Sequence, residues 1–432
     1  MSAVVRSSSD VLDNGLRPTP AGGLLGTAVI AATDVDGDGF GILGRPPDPA
    51  LFDARIQPYA PDLPGSGVDE DGIAGDLPAA GVRYEEVLPP LTSWPLRPDV
   101  ILMVLESSRA DAVGAEVRGK PVTPVLNELA RQGAHVAQAY SHNGYTVQSR
   151  HHILSGSLAG FDVGTLVDDF AQNGYQTAYF SAQDDSFGGS KGSVGLLGAE
   201  VAYDARTDPD RRYTTFTTAG SLAVPHEVLA ERIEQFLAAR STDRPLFLYV
   251  NFHDTHFPYH HSGIEPLVSN VVVPQGDIAP DAADAVREMY LNTAANVDAA
   301  IGRLLDSVPR TIRREPGVVV LGDHGESLFD ESFLGHGYAL NDAQTRIPLI
   351  VANLPLAIAE PFGQADLRAL FRRAFAAPAA DPMPQVVRDP EKSVFQYLGT
   401  IERPAQIAFV NSAGRITYDI RERKFKSREG NW

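Results

Sequence analysis

The sequence contains no cysteine, which excludes disulfide bonds, thiolate metal sites and a cysteine nucleophile. Basic residues are also in deficit, because 36 Lys and Arg stand against 55 Asp and Glu, a formal charge of −19. Nucleic acids and anionic lipids require a basic surface, so we expect neither as the main partner. The acidic surplus suits a protein that binds cations.

Long hydrophobic runs are missing as well. The N-terminal stretch MSAVVRSSSD lacks the apolar core of a secretory signal. The longest early apolar run, Gly22 to Ala32, is shorter than the roughly 20 residues that a membrane-spanning helix needs. We therefore expect no membrane span in this chain, which could still be the soluble part of a longer membrane-associated protein.

Residues 1–95 are rich in Pro, Gly and Asp and show little periodicity, which predicts a loop-rich N-terminal segment. Within it, DVDGDGF places carboxylates at alternate positions and then supplies glycine, a spacing that lets several oxygens converge on one hard cation. A second acidic cluster, VDEDGIAGD, follows. We predict structural calcium here; the alternative is an acidic, solvated turn. The candidate ligands are Asp34, Asp36, Asp38, Asp48, Asp53, Asp69, Asp71 and Asp76.

From residue 96 onward, short apolar runs alternate with amphipathic stretches. The runs PDVILMVL, PLFLYVNF, GVVVLG and IPLIVA are typical of buried strands, and residues 123–133, 166–173, 226–240 and 281–308 show helical patterns. This alternation predicts an α/β fold with a mostly parallel central sheet covered by helices on both faces. Short alternating strands near the C-terminus predict a small antiparallel piece. The predicted domains are 1–95, a catalytic domain at 96–360, and a C-terminal subdomain at 361–432 that completes it.

Polar residues gather where three of the predicted strands end. Glu106 follows the first strand, HDTHFPYHH follows the strand that ends at Phe252, and DHGE follows the strand that ends at Gly322. Ligands of open α/β sheets bind at the carboxyl ends of strands, so these residues would face one crevice. Carboxylates and imidazoles from separate loops are the ligands of a Zn²⁺ or Mn²⁺ site. Each motif alone also fits a structural role, such as a helix cap at Glu106.

The order of these motifs resembles the alkaline phosphatase superfamily and, within it, the sulfatase-like branch. The resemblance spans roughly residues 97–352 and implies an alkaline phosphatase-like fold. It is carried by VILMVLESSRAD, TPVLNELARQGAHVAQAYS, TVQSR, FHDTHFPY, NVDAAIGRLL, LGDHGESLFDESFLGHG and RIPLIV.

One departure from the sulfatase pattern concerns the nucleophile. Sulfatases carry a Cys-x-Pro-Ser-Arg-like motif whose cysteine becomes formylglycine, whereas this chain has TVQSR, with Thr146 in the cysteine's place. The resemblance therefore shifts toward enzymes that use threonine directly, such as lipoteichoic-acid synthases and phosphoethanolamine transferases. It implies that one divalent ion (Mn²⁺, Zn²⁺, Mg²⁺ or Ca²⁺) is held by the residues matching that pattern, which are Glu106, Thr146, Asp323 and His324.

The resemblance also assigns two histidines. His256 and His336 match positions that contact the substrate or protonate the leaving group. Their alternative role is to hold the metal-binding side chains in place. Asp254 and His256 could instead hold a second metal ion, as in two-metal phosphodiesterases.

The chemistry of threonine supports the assignment of Thr146. Its hydroxyl is a poor nucleophile until a metal ion or a base lowers its pKa. Arg150 lies one helical turn further on, and its planar guanidinium suits an oxyanion. Thr146 could otherwise be a helix N-cap, and both roles can hold together because a helix N-terminus also favours anions.

The sequence thus predicts a metal-dependent hydrolase or transferase of phosphate or sulfate esters, acting most readily on phosphodiesters through a covalent Thr146 intermediate. Two alternatives stay open: a sulfatase that works without formylglycine, and a non-catalytic, calcium-dependent surface protein on this fold. The expected substrate is an anionic ester, either a small molecule or one linked to a lipid or glycan. A periplasmic or extracellular location follows only from the resemblance and the Asp-rich segments.

Overall fold

The computed structural model describes residues 20–44, 46–60, 66–73, 75–76, 88–158, 164–186, 198–214, 222–308, 315–377 and 383–429. The chain forms two compact units. The larger comprises Val87–Gln396 with Val410–Ser412, and the smaller comprises Met1–Glu86, Tyr397–Phe409 and Ala413–Asn431. The predicted boundaries at 95 and 360 stay predictions.

The larger unit is built on a seven-stranded sheet. Its strands are β1 (Val100–Leu105), β2 (Ala134–His135), β3 (Gln176–Ser181), β4 (Val201–Tyr203), β5 (Leu246–Phe252), β6 (Gly317–Gly322) and β7 (Leu349–Ala352). Their order across the sheet is β2-β7-β6-β1-β5-β3-β4. The five strands from β6 to β4 pair in parallel, whereas β7 runs antiparallel to both β6 and β2. The predicted α/β fold with a mostly parallel sheet is confirmed.

Helices cover both faces of this sheet. The described helices of the larger unit are α2 (Pro124–Gln132), α3 (Thr146–Ser155), α4 (Leu166–Gln172), α5 (His226–Ala239), α6 (Ala283–Ser307), α7 (Asp342–Thr345) and α8 (Asp366–Ala376), and α1 (Pro20–Ala31) belongs to the smaller unit. Successive side chains of a strand point to opposite faces. Leu102 and Val104 of β1 therefore share a core with α3, α4 and α8, while Ile101 and Met103 share one with α2, α5 and α6.

Short two-strand pairs and single turns of 3-10 helix complete the larger unit. The pairs are Glu116–Val117 with Lys120–Pro121, Ala139–Tyr140 with Phe362–Gly363, Tyr213–Thr214 with Leu222–Ala223, Ser327–Leu328 with Leu334–Gly335, and Ala357–Glu360 with Gln385–Arg388.

The register of the central strands decides where polar residues can meet. Leu105, the last residue of β1, lies opposite both Phe252 of β5 and Gly322 of β6. Because the three strands run in parallel and end at the same level, the next residue of each emerges at one edge of the sheet. These residues are Glu106, His253 and Asp323.

The smaller unit contains α1, a helix that the sequence analysis placed in a loop-rich segment. This helix is apolar apart from Thr27 and buries none of its residues. Because it has no alternation of polar and apolar faces, the periodicity used to predict the other helices was absent. Within the described residues, no helix is both long enough and apolar enough to cross a membrane.

The C-terminal strands β8 (Val394–Thr400), β9 (Arg403–Asn411), β10 (Gly414–Asp419) and β11 (Lys424–Glu429) form a four-stranded sheet in that order. β10 and β11 are antiparallel. This sheet agrees with the small antiparallel piece predicted from the alternating residues of the tail.

We expect Phe170→Ala to lower the free energy of unfolding by about 3–5 kcal/mol, because it opens a cavity among close-packed rings. Phe170 is wholly buried and stacks on Phe247 at 4.1 Å. Urea denaturation of the full chain measures the change. Val272 is 50% exposed, so Val272→Ala is the control and should stay within about 0.5 kcal/mol. Equal effects of the two substitutions would contradict the assigned core.

Candidate active site

Thr146 and Glu106 meet at the C-terminal edge of the central sheet. Thr146 Oγ1 donates a hydrogen bond of 2.8 Å to Glu106 Oε1 and lies 3.3 Å from His324 Nε2. Glu106 is fully buried, and Thr146 is 7% exposed. The hydroxyl and the carboxylate come from different elements, so the fold brings them together.

Asp323 and His324 complete this group. His324 Nε2 lies 3.4 Å from Asp323 Oδ2 and 3.6 Å from Glu106 Oε1. His324 Nδ1 is 2.9 Å from the carbonyl oxygen of Gly325, which can only accept a hydrogen bond. When the ring is neutral, its proton therefore lies on Nδ1. The lone pair of Nε2 then points toward the carboxylates and the hydroxyl, as in a metal-binding histidine.

Two carboxylate oxygens of this group, Glu106 Oε2 and Asp323 Oδ2, are buried without a hydrogen-bond partner. The other oxygen of Asp323 accepts the backbone N–H groups of Ser107 and His324 at 2.9 and 2.7 Å. Burial and the charge of Glu106 raise the pKa of Asp323 well above its usual value. Burial would lower the pKa of His324, but Asp323 and Glu106 raise it to about 10. The pocket therefore binds positive charge strongly.

The donor set fits the divalent metal ion that the resemblance implies. Glu106, Asp323 and His324 each offer a ligand atom within 4.8 Å of the others, and all three are buried. The two unpartnered carboxylate oxygens are costly to bury unless a cation satisfies them. Carboxylate, imidazole and hydroxyl donors suit Zn²⁺ or Mn²⁺.

Thr146 is the first residue of α3, and the N-cap position falls on Tyr145. The Thr146 side chain therefore does not cap the helix, which was its alternative role. It contacts Glu106 instead. The N-terminus of α3 adds partial positive charge at the same place, which favours the oxygens of a phosphate or sulfate group.

His256 and His336 lie next to this group. The ring centre of His336 is 4.1 Å from that of His324 and 5.4 Å from that of His256. His336 Nδ1 is 2.6 Å from Glu326 Oε2, and His256 Nδ1 is 3.0 Å from the carbonyl oxygen of Phe257. These acceptors keep a proton on each Nδ1, so the contact of either ring with a substrate, which stays a prediction, would be made through Nε2.

Glu326 and His253 are site residues to which sequence reasoning gave no role. Glu326 is fully buried, and its Oε1 accepts a 2.6 Å hydrogen bond from the Tyr259 hydroxyl while its Oε2 orients His336. His253 Nδ1 lies 3.9 Å from Glu106 Oε2, and burial lowers the pKa of His253 to about 3. Their position in the sequence could have indicated them. Each residue closely follows a buried strand, and each belongs to one of the polar motifs at the strand ends.

Arg150, predicted to contact an oxyanion, has all five N–H groups engaged by other side chains. The acceptors are the Tyr249 hydroxyl at Nε, Gln183 and Asp185 at Nη1, and the Tyr179 hydroxyl and Asp185 at Nη2. The shortest is 2.7 Å, to Asp185, and Arg150 is 1% exposed. These contacts hold α3 against β3 and β5. An oxyanion would have to displace one of them, so direct contact stays a prediction.

Asp254 contacts two other histidines, and the two-metal alternative that pairs it with His256 stays a prediction. Its Oδ1 lies 2.8 Å from His226 Nδ1 and 2.8 Å from His261 Nε2. The side chain of Asp254 is therefore part of a different group of histidines.

Four of the predicted calcium ligands come together in the smaller unit. Asp34, Asp36 and Asp38 each offer an oxygen within 4.8 Å of the others. Asp48 is 7% exposed, and burial, with the charges of Asp36 and Asp34, raises its pKa. One buried oxygen each of Asp36, Asp38 and Asp48 has no hydrogen-bond partner.

The other four predicted ligands have hydrogen-bond partners of their own. Asp53 binds Arg55 through contacts of 2.9 and 2.6 Å, and this hydrogen bonding lowers the pKa of Asp53 to about 2. Asp69, Asp71 and Asp76 accept backbone N–H groups of their own turn.

Comparison with known proteins places the chain. Residues 98–354, more than half of the 432, match the sulfatase family. The chain matches none of the curated proteins. Three solved structures with this fold are each 15% identical to the chain. The 2-O GAG sulfatase BT1596 has a TM-score of 0.54, and the match covers 77% of this chain and 85% of that one. The lipoteichoic acid synthase LtaP from Listeria monocytogenes has a TM-score of 0.52 (76% of this chain, 86% of that one), and the C-terminal periplasmic domain of EcEptC from Escherichia coli in complex with Zn has a TM-score of 0.52 (73% of this chain, 94% of that one).

The fold, which brings buried carboxylates, an imidazole and a hydroxyl together at the strand ends, is shared with a protein of the alkaline phosphatase superfamily from Vibrio parahaemolyticus (17% identity, TM-score 0.52, covering 79% of this chain and 84% of that one). The chain belongs to the sulfatase family. The alternative of a non-catalytic surface protein is therefore not supported.

We expect Glu106→Gln to weaken divalent-metal binding at this site at least about 100-fold, because it replaces the buried, unpartnered carboxylate oxygen with a neutral amide. Metal content per chain after gel filtration measures the loss. Glu116 is exposed, so Glu116→Gln serves as the control and should keep its metal. Equal metal content in both variants would remove Glu106 from the ligand set.

Proposed function

We propose that this sulfatase-family enzyme cleaves or transfers phosphodiesters and that Thr146 is its nucleophile. The observation that carries the proposal is the 2.8 Å contact of Thr146 Oγ1 with Glu106, in a chain that lacks the cysteine from which sulfatases make formylglycine. A threonine beside two buried carboxylates and an imidazole is suited to attack at phosphorus.

Glu106, Asp323 and His324, together with Thr146 Oγ1, would hold a divalent ion. When bound, such an ion lowers the pKa of the adjacent hydroxyl and neutralises charge on a phosphoryl oxygen. Since the EcEptC domain was solved in complex with Zn, Zn²⁺ is the first ion to test.

The proposed reaction has two transfers. In the first, Thr146 gives its proton to Glu106 Oε1, the Thr146 oxygen bonds to phosphorus, and the bond from phosphorus to the leaving oxygen breaks. His256 or His336 protonates that leaving oxygen through Nε2. In the second, the same imidazole takes a proton from water or an acceptor alcohol, whose oxygen attacks phosphorus. The Thr146 oxygen departs and regains its proton from Glu106.

Two properties of the substrate follow from this proposal. It is an anionic ester, small or attached to a lipid or glycan, because the N-terminus of α3 and the bound ion favour a negative phosphoryl group. We also propose a location on the periplasmic or extracellular face. Support for both comes from LtaP, a lipoteichoic acid synthase, and from EcEptC, whose solved domain is periplasmic.

Thr146→Ala should lower kcat on bis(p-nitrophenyl) phosphate by at least about 10³-fold, since it removes the nucleophile. Thr146→Ser keeps a hydroxyl and should retain measurable turnover. Mass spectrometry of the quenched wild-type enzyme should find a phosphoryl adduct on the peptide containing Thr146, and none in Thr146→Ala. The assays use Zn²⁺ and Mn²⁺ in parallel.

Two results would overturn this proposal. One is turnover of p-nitrophenyl sulfate that exceeds turnover of the phosphodiester, which would favour the sulfatase alternative. The other is full activity of Thr146→Ala, which would assign the attack to water and not to the side chain.

We also propose a structural calcium ion bound by Asp34, Asp36, Asp38 and Asp48. Support comes from three unpartnered, buried carboxylate oxygens and from Asp48, which is 7% exposed and lies among these like charges. Carboxylate oxygens supplied at alternate positions of a glycine-containing loop suit Ca²⁺. Gly37 and Gly39 have φ of 84° and 92°, a conformation that permits the tight turn.

Ca²⁺ at 100 times its Kd should stabilise the smaller unit by about 2.7 kcal/mol, because the ion binds only the folded chain. Thermal denaturation with and without a chelator measures this. Asp48→Asn should weaken Ca²⁺ binding at least about tenfold. Asp53→Asn is the matched control and should respond to Ca²⁺ as the wild type does, because Asp53 is held by Arg55. A larger loss of Ca²⁺ binding in Asp53→Asn than in Asp48→Asn would refute the ligand set.

A further inference from the structure

A second buried group of metal-binding side chains lies outside the catalytic group. His226 is the first residue of α5, and Asp254 and His261 lie on the loop that follows β5. Their exposed fractions are 7%, 1% and 8%, and one ligand atom of each lies within 4.8 Å of the others. The catalytic residues proposed above do not use this group.

Asp254 carries an uneven set of hydrogen bonds. Its Oδ1 accepts three N–H groups, from His226 N at 3.1 Å, His226 Nδ1 at 2.8 Å and His261 Nε2 at 2.8 Å. Its Oδ2 is buried and has no partner. Burial would raise the pKa of Asp254, but the two imidazoles hold it far below its usual range, so the carboxylate is ionised. An ionised oxygen buried without a partner destabilises the fold unless a cation satisfies it.

Glu227 brings a second carboxylate to this group. Its Oε1 lies 3.5 Å from His226 Nε2, and its Oε2 is buried without a partner. A Cβ atom at Gly263 would lie 2.9 Å from Glu227 Oε1 and 3.1 Å from His261 Cε1. The missing side chain therefore leaves room for the carboxylate beside the ring. The Tyr213 ring stacks on His261 with centres 4.4 Å apart and covers it.

We propose that His226, Asp254 and His261 form a second metal site that takes Zn²⁺, with Glu227 as the hydrogen-bond partner of His226. Two imidazoles and a carboxylate are ligands that zinc prefers. Zinc bonds of about 2.0–2.2 Å place tetrahedral ligand atoms about 3.3 Å apart, so the 2.8 Å contacts need only a small outward movement. With the ion on His226 Nδ1, the Nε2 proton faces Glu227, the carboxylate partner typical of a zinc-bound histidine.

The site would fasten the loop that carries His253 and His256 to the start of α5. It also requires a change at His261. Gly263 N donates a 3.1 Å hydrogen bond to His261 Nδ1, so in this arrangement the ring proton lies on Nε2. Zinc at Nε2 moves that proton to Nδ1 and breaks the bond from Gly263. The Gly263 amide thus reports whether zinc binds here.

The experiment counts zinc in a background that cannot bind it at the active site. The Glu106→Gln/His324→Ala double variant, which breaks both active-site groups that contain His324, should retain one Zn²⁺ per chain after gel filtration when Ca²⁺ saturates the acidic cluster. Adding His261→Ala should remove that ion, and adding His260→Ala, the neighbouring histidine, should not. Glu227→Gln, at a half-buried position that should still fold, should weaken zinc binding about tenfold. Zinc should also shift the Gly263 amide resonance.

The second metal site also has a result that would overturn it. If the double variant retains no zinc and the Gly263 amide does not respond to it, the group is a hydrogen-bonded clamp without a metal. Because the zinc count is made in a variant without an active-site ligand set, that outcome overturns the second site and leaves the proposed Thr146 chemistry untouched.

Discussion

The burial of two carboxylates, Glu106 and Asp323, side by side at the ends of parallel strands is the constraint on which the site depends. The strands end in register, so the two residues emerge at one level and neither can move away from the other. Burial and the charge of Glu106 raise the pKa of Asp323, and the two carboxylates together raise the pKa of His324 against the effect of burial. A buried pocket that holds positive charge this strongly is a place for a divalent cation and for an anionic substrate.

The hydrogen bonds behind the site decide how each imidazole can act. The acceptors of His324, His256 and His336 all lie at Nδ1: a carbonyl oxygen for the first two, and Glu326 for the third. Each ring is therefore fixed in orientation, and each Nε2 is directed away from its support. One Nε2 faces the proposed metal ligands, and the proposed reaction uses one of the other two for proton transfer. Similar side chains would then serve different roles because their hydrogen-bond partners fix them differently.

Sequence reasoning succeeded where a motif and its position sufficed. The strands predicted at PDVILMVL and GVVVLG placed Glu106 and Asp323 at one sheet edge, and the structure has them there. Other features left no clear pattern in the sequence. Arg150 looked available for an oxyanion, but Asp185 engages it, so direct contact with an oxyanion stays a prediction. Asp53 belongs to the acidic pattern but hydrogen-bonds Arg55, and helix α1 offered no periodicity to recognise.

The sequence by itself determined the α/β class, the absence of formylglycine chemistry of the cysteine-derived kind, and the set of side chains that could bind a cation. These properties depend on residue type and local spacing. Only the tertiary structure decided that Thr146 touches Glu106, that Glu326 supports His336, and that Asp254 joins His226. The reason is physical: such contacts join distant parts of the chain, so strand register and helix packing set their distances, and no local pattern records them.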